Sequence, residues 1–175
     1  MTLKLKKLFI KILSLLPDNM LNTLEKAFSI SRGRGLNFSI ETEFSSFLKF
    51  KRNINLFVDI GGNRGKYTEQ ILKNFPNSSG FIFEPDSKNY FFLKKKFKSK
   101  NITVINQALS NIKGTNYLFS NKRSSGRSSL YNRRLNHFNL KFKKIEKVKI
   151  NKMSPYYKKN IKKVVDFCKI DIEGN

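Results

Sequence analysis

A chain of 175 residues, 39% of them apolar, is long enough for one domain with a real core and hardly for two. Recurring clusters of Phe, Ile and Leu exclude compositional disorder, even at a net charge of +24. The single cysteine, Cys168, excludes an intramolecular disulfide and a multi-cysteine zinc site, which fits a reducing cytoplasm.

So basic a chain either meets anionic partners, such as nucleic acid, anionic lipid or acidic glycan, or simply carries solvated lysines. Lysine outweighs arginine here, and arginine is the better bidentate phosphate ligand, so solvated lysine is the favoured reading. Nucleic acid is therefore the less favoured partner. Cys168 lies in an apolar run and reads as core rather than nucleophile. His137, in a basic polar stretch, reads as a surface residue.

Residues 1–50 read as a basic, helical N-terminal extension. In MTLKLKKLFIKILSLLP, Leu5, Leu8, Phe9, Ile12, Leu13 and Leu16 recur at helical spacing, with Lys4, Lys7 and Lys11 off that stripe. The pattern predicts an amphipathic helix ending near Pro17. Lys11 makes its apolar run too short to span a bilayer, and no small-residue cleavage site follows. It either packs on its own domain or a partner, the favoured reading, or touches the anionic inner face of a membrane. The run SRGRG from Ser31 to Gly35 predicts a flexible break.

Residues 51–175 read as one α/β domain, in which short apolar runs alternate with helical segments around a mostly parallel sheet. NLFVDI is the first strand, and a glycine-rich turn leads from it into the amphipathic helix KYTEQILKNF. GFIFE is the second strand. Asp86 or Ser87 caps the next helix, KNYFFLKKKFK. ITVINQAL is a third strand, TNYLFS another extended run, and KKIEKVKI an added strand. Asn121 to Arg134 forms a long polar loop carrying Arg123, Arg127, Arg133 and Arg134. VVDFCKIDI is a buried strand that ends in acids.

Two constellations carry chemistry. In VDIGGNRGKYT a strand delivers Asp59 at its carboxyl end, and Gly61, Gly62 and Gly65 allow a tight turn before a helix N-terminus. Ligands of open parallel sheets bind at that edge. A dinucleotide fingerprint fails because Asn63 and Lys66 stand where glycines are required. A P-loop fails because Ile60 and Tyr67 stand where glycine and a hydroxyl residue are required. Asp59 would also repel a polyphosphate, whereas it suits a ligand bearing an ammonium and a sulfonium. In FIFEPD, Glu84 ends the second strand 25 residues after Asp59. A nucleoside-binding α/β fold places an acid there to accept bonds from both ribose hydroxyls.

With these blocks in hand, the chain resembles the FkbM-type S-adenosylmethionine-dependent methyltransferases. The likeness runs from about Asn55 to Gly174 through VDIGGNRGKYT, FEPDSKNY, NITVINQALSN, SSGRSSL and VVDFCKIDIEG. It implies a Rossmann-like class I methyltransferase fold. It further implies O-methylation of a sugar, glycan or other small-molecule hydroxyl, with S-adenosyl-L-methionine as cofactor. By position, Asp59, Gly61, Gly62, Asn63 and Gly65 would surround the methionine part, and Glu84 would hold the ribose. Gln107 and Ala108, ending the third strand, would lie near the adenine. Asp171 would face the transferring methyl as the first candidate base, with Glu173 second. The polar loop would lie over cofactor and acceptor. No metal cluster is legible.

Gly62 stands where the family more often has alanine, which reads as a mild change. Asn175 replaces the usual small residue after Glu173 and Gly174, and the acid, helix and strands that normally follow are absent. The resemblance thus implies a domain missing its C-terminal strands, and a non-catalytic remnant is one alternative. An RNA methyltransferase is the other, motivated by Phe and Tyr among the lysines.

Overall fold

The computed structural model describes residues 53–121, 128–132 and 141–172, together with residues 16, 17, 19–21, 23, 24, 27, 40, 44, 47 and 48. The chain forms two compact units, Met1–Phe47 and Leu48–Asn175. In the first, residues 19–21, 23, 24, 27, 40, 44 and 47 are helical, and the rings of Phe44 and Phe47 lie 5.7 Å apart. The amphipathic stripe from Leu5 to Leu13 and the SRGRG run lie outside the described residues. Among the described residues no helix is long and apolar enough to cross a membrane.

The second unit is an α/β fold built on a four-stranded, wholly parallel sheet. Its strands are β1 (Leu56–Ile60), β2 (Ser79–Phe83), β3 (Ile102–Ile105) and β7 (Phe167–Ile170), in the order β3-β2-β1-β7. A second sheet of β4 (Ala108–Leu109), β5 (Gly114–Ser120) and β6 (Lys143–Asn151) has the order β4-β6-β5. There β5 and β6 run antiparallel, with an irregularity between Leu118 and Phe119, and β4 lies parallel to β6.

β1 is flanked on both sides by strands, and all five of its residues are buried. A central parallel strand covered on both faces needs just such a run, and Asp59 is its one polar member. On one face, Val58, Ile60 and Phe83 join Leu109 and Ile161. On the other, Ile82 packs with Leu93 and Phe97. Each such fully buried side chain contributes about 1.5–3 kcal/mol.

Helix α1 (Lys66–Asn74) follows β1 and buries Tyr67, Thr68 and Ile71. Helix α2 (Ser87–Lys96) follows β2, and its cap is Asp86, whose carboxylate accepts the Asn89 N–H at 2.9 Å. Lys94, Lys95 and Lys96 lie in its last turn, where cations complement the helix dipole. The sequence pattern assigned no element between β6 and β7. A short helix α3 (Met153–Tyr156) forms there and widens into a π-helical turn, Tyr157–Ile161, that ends at left-handed Lys162. Tyr156 meets Phe83 edge-on at 5.0 Å, which seats this turn on the sheet.

Two expectations need correction. ITVINQAL is not one strand. It divides at Asn106 and Gln107 into β3 and β4, which belong to different sheets. Asn106 marks the break by donating from Nδ2 to the carbonyl oxygens of Glu84 and Pro85, each at 3.0 Å. The run VVDFCKIDI is not a buried strand either. Among the described residues β7 lies at the sheet edge and alternates half-buried with exposed residues, Ile170 being 63% exposed, and Val164, ahead of the strand, is 82% exposed. Cys168 is exposed for the same reason rather than in the core. Its strand neighbours still desolvate the thiol, and with the Asp59 charge they push its pKa up. It stays a protonated thiol and not an activated nucleophile.

Candidate functional site at the carboxyl ends of the parallel strands

The turn after β1 is built from left-handed backbone at Gly61 (φ 83°), Asn63 (φ 47°) and Gly65 (φ 71°). Gly61 and Gly62 both donate to the Phe83 carbonyl, at 2.9 and 3.2 Å, which fastens the turn to β2. A Cβ at Gly61 would collide with the Asp171 carbonyl oxygen, so only glycine lets β7 approach here. A Cβ at Gly62 would collide with Ile82 Cγ2. The glycine at 62 is therefore not a mild variant of alanine in this fold, because Ile82 must shift to admit a methyl. Gly65 caps α1 and packs on Leu93 and Phe97.

Glu84 follows β2 and is only 5% exposed. Its Oε2 accepts the Asn63 N–H at 2.7 Å and its Oε1 accepts the Asp86 N–H at 2.9 Å. Both bonds hold the carboxylate in one orientation and leave each oxygen acceptor capacity. Burial dominates its titration and raises the pKa to about 7, against those two hydrogen bonds, which lower it.

These elements border an open cleft at the carboxyl ends of the parallel strands. Gly61, Asn63, Glu84, Gln107, Ala108 and Asp171 line it together, so three strand ends and the start of β4 converge. The described part of the polar loop reaches it as well, through Ser128, Ser129 and Leu130. Ser129 is held there by reciprocal backbone bonds with Phe119 of β5, at 2.8 and 2.9 Å. Glu146 of β6 accepts both the N–H and the hydroxyl of Ser87, at 2.7 and 2.6 Å. The second sheet is thereby tied to the first turn of α2.

Asp59, Gly62 and Gly65 do not line the cleft. Asp59 is fully buried on the α1 face of β1, where its Oδ2 accepts the Thr68 hydroxyl at 2.8 Å. Its Oδ1 has no hydrogen bond, and Lys169 Nζ stands 3.7 Å away. Burial pushes its pKa up, while the Lys169 cation and the Thr68 bond oppose the rise. Lys169 Nζ also lies 3.4 Å from the Asp171 carboxylate, so a single cation serves the buried acid and the acid at the cleft. Glu173, His137, Arg123, Arg127, Arg133 and Arg134 lie outside the described residues. Among the described residues no cluster could hold a metal ion.

Sequence reasoning missed Lys169 and Asn89. Lys169 pairs in register with Asp59 across β1 and β7, a juxtaposition that the parallel pairing alone creates. Asn89, buried in the first turn of α2, lines the cleft and donates to the Asn63 side chain at 3.2 Å. Its spacing of three from the cap Asp86 was the available signal. Comparison with protein-family models, with curated proteins and with solved structures gives no match.

Proposed function

We propose that this chain is a Rossmann-like class I methyltransferase whose cleft takes S-adenosyl-L-methionine and whose acceptor is a small-molecule or glycan hydroxyl. Glu84 carries the reading. A buried carboxylate at the end of the second parallel strand, oriented by two backbone N–H groups and bordering the open cleft, supports recognition of ribose hydroxyls.

The residues fit that cofactor in kind. Glu84 accepts from the ribose, Gln107 and Ala108 border the adenine end, and Gly61 and Asn63 shape the methionine end. S-adenosylmethionine supplies an electrophilic methyl carbon. Asp171 lines the cleft, its side chain is 60% exposed, and it takes the proton of the acceptor hydroxyl. Asp59 acts behind the site, through Lys169, rather than by touching the ligand. An RNA acceptor is the competing reading. Phe91, 67% exposed beside Lys94 and Lys95 on α2, favours it, and a steep salt dependence of RNA affinity would reveal it.

Calorimetry with S-adenosylhomocysteine tests the cofactor site. Loss of a charge-assisted pair of bonds in Glu84→Ala is expected to weaken binding about tenfold to a hundredfold. Asp171→Asn should keep that affinity and lose methyl transfer. A folded parent chain that gives no binding heat overturns the reading.

A further inference from the structure

Asp86 caps α2 through its side chain, and Asn89 stands three residues on, in the first turn. A capping box fills that position with Glu or Gln, which reaches back to the N–H of the cap residue. Here the Asp86 N–H is already taken by Glu84 Oε1, at 2.9 Å. The Asn89 side chain is thereby released from its own helix, and its Nδ2 donates across to Asn63 Oδ1 at 3.2 Å. Four residues close into a ring of hydrogen bonds. The N–H groups of Asn63 and Asp86 donate to Glu84, the Asn89 N–H donates to Asp86, and Asn89 Nδ2 donates to Asn63. The ring joins the turn after β1, the end of β2 and the start of α2.

One atom of the ring is left over. Asn89 is 2% exposed, and its Oδ1 is buried with no hydrogen-bond partner among the described residues. A buried acceptor that stays unpaired is unfavourable, so such a group inside a well-bonded network requires a reason. Asn89 lines the cleft together with Asn63 and Glu84. Its bond to Asn63 is the longest of the ring, and the terminal torsion of asparagine is soft, so the amide turns readily toward a donor. Each oxygen of Glu84 accepts one N–H and keeps further acceptor capacity. Two residues of one ring thus present acceptors to the same cleft, and a pair of neighbouring hydroxyls is their complement.

We infer that Asn89 is a specificity-determining residue of this cleft. Its Oδ1 accepts from one hydroxyl of a vicinal diol whose other hydroxyl donates to Glu84, so the cleft selects ribose over a deoxyribose. The inference rests on the nucleoside reading of the cleft and adds a second reader beside Glu84. The role is direct rather than supportive, because the bond to Asn63 uses Nδ2 and leaves Oδ1 for the ligand. A deoxy sugar returns Oδ1 to its unpaired state, which is how a site built to bond a hydroxyl rejects the analogue that lacks it.

Calorimetry on the full chain compares adenosine, 2′-deoxyadenosine, 3′-deoxyadenosine and S-adenosylhomocysteine, with Asn89→Ala and Asn89→Asp beside the parent. The parent is expected to bind adenosine about tenfold more tightly than either deoxynucleoside. Asn89→Ala should lose the preference over one deoxynucleoside and keep it over the other, whose missing hydroxyl Glu84 reads. Asn89→Asp keeps an acceptor and should retain both preferences. Asn89→Ala that weakens all three nucleosides alike, with their ratios intact, overturns the inference, because Asn89 would then only support the turn. So does a parent chain that binds the three equally. If Asn89→Ala does not fold, the side-chain amide resonance of Asn89 in the isotope-labelled parent decides. It should shift with adenosine and stay in place with one deoxynucleoside, and an equal shift with all three refutes the role. Failure of S-adenosylhomocysteine to bind where adenosine binds removes the methyl-donor reading alone, and the nucleoside ratios still decide Asn89. A folded parent that binds none of these compounds overturns both.

Discussion

Glu84→Gln tests whether burial makes the acid of the cleft bind its proton more tightly in the folded chain than in the unfolded one. The pKa of Glu84 rises from 4.5 to about 7, chiefly through burial. A carboxyl raised in this way binds its proton more tightly in the folded chain than in the unfolded one. Its contribution to stability is therefore complete below the unfolded value, and it is lost as pH rises through the folded value. At about 1.36 kcal/mol for each pKa unit, the rise makes the folded chain lose about 3 kcal/mol between about pH 4.5 and about pH 8. Gln cannot ionise and escapes this loss. It presents an N–H group to either the Asn63 or the Asp86 N–H, however, which costs about 1–3 kcal/mol at every pH. The variant should thus be less stable than the parent at pH 5 and equal or more stable at pH 8. Urea unfolding at closely spaced pH values measures both curves. Their difference cancels every other titrating group in this strongly basic chain. Parallel curves across that range would refute the reasoning, because Glu84 would then ionise alike in both states.

Gly61→Ala must place a side chain at φ 83° and push a Cβ into the Asp171 carbonyl. It should destabilise the chain by at least about 2 kcal/mol in thermal unfolding, and an unchanged melting temperature would contradict the close approach of β7. Lys169→Met leaves the buried Asp59 carboxylate without its cation. At neutral pH it should cost about 3–5 kcal/mol. Because Asp59 can then be relieved by protonation, the deficit should shrink as pH falls, and a deficit independent of pH would dismiss the pairing.

Much of the site was legible in local pattern. The apolar run of β1, the glycines after it and the amphipathic repeat of α1 follow one another within 20 residues. A strand, turn and helix so close in sequence are specified by their own periodicities. The same holds for β2, Glu84 and the Asp86 cap of α2, where each residue acts on neighbours a few positions away. The alternation of KKIEKVKI likewise marked β6.

Other features depend on partners far apart in the chain. The run from Ile102 to Leu109 looks continuous, yet Asn106 is drawn to the carbonyls of Glu84 and Pro85, and β4 pairs with β6 instead of extending β3. The apolar letters of β7 predicted burial, but burial is a property of the sheet order, and among the described residues β7 has one strand neighbour. Lys169 meets Asp59 only because the parallel register sets them side by side. The sequence by itself determined which strand ends carry acids and where the chain turns, since steric and hydrogen-bonding preferences within a few residues decide both. Tertiary structure alone decided that Glu84 and Asp171 border the cleft while Asp59 lies behind it. Facing and burial are set by register and packing between segments more than a hundred residues apart, and no local pattern encodes them.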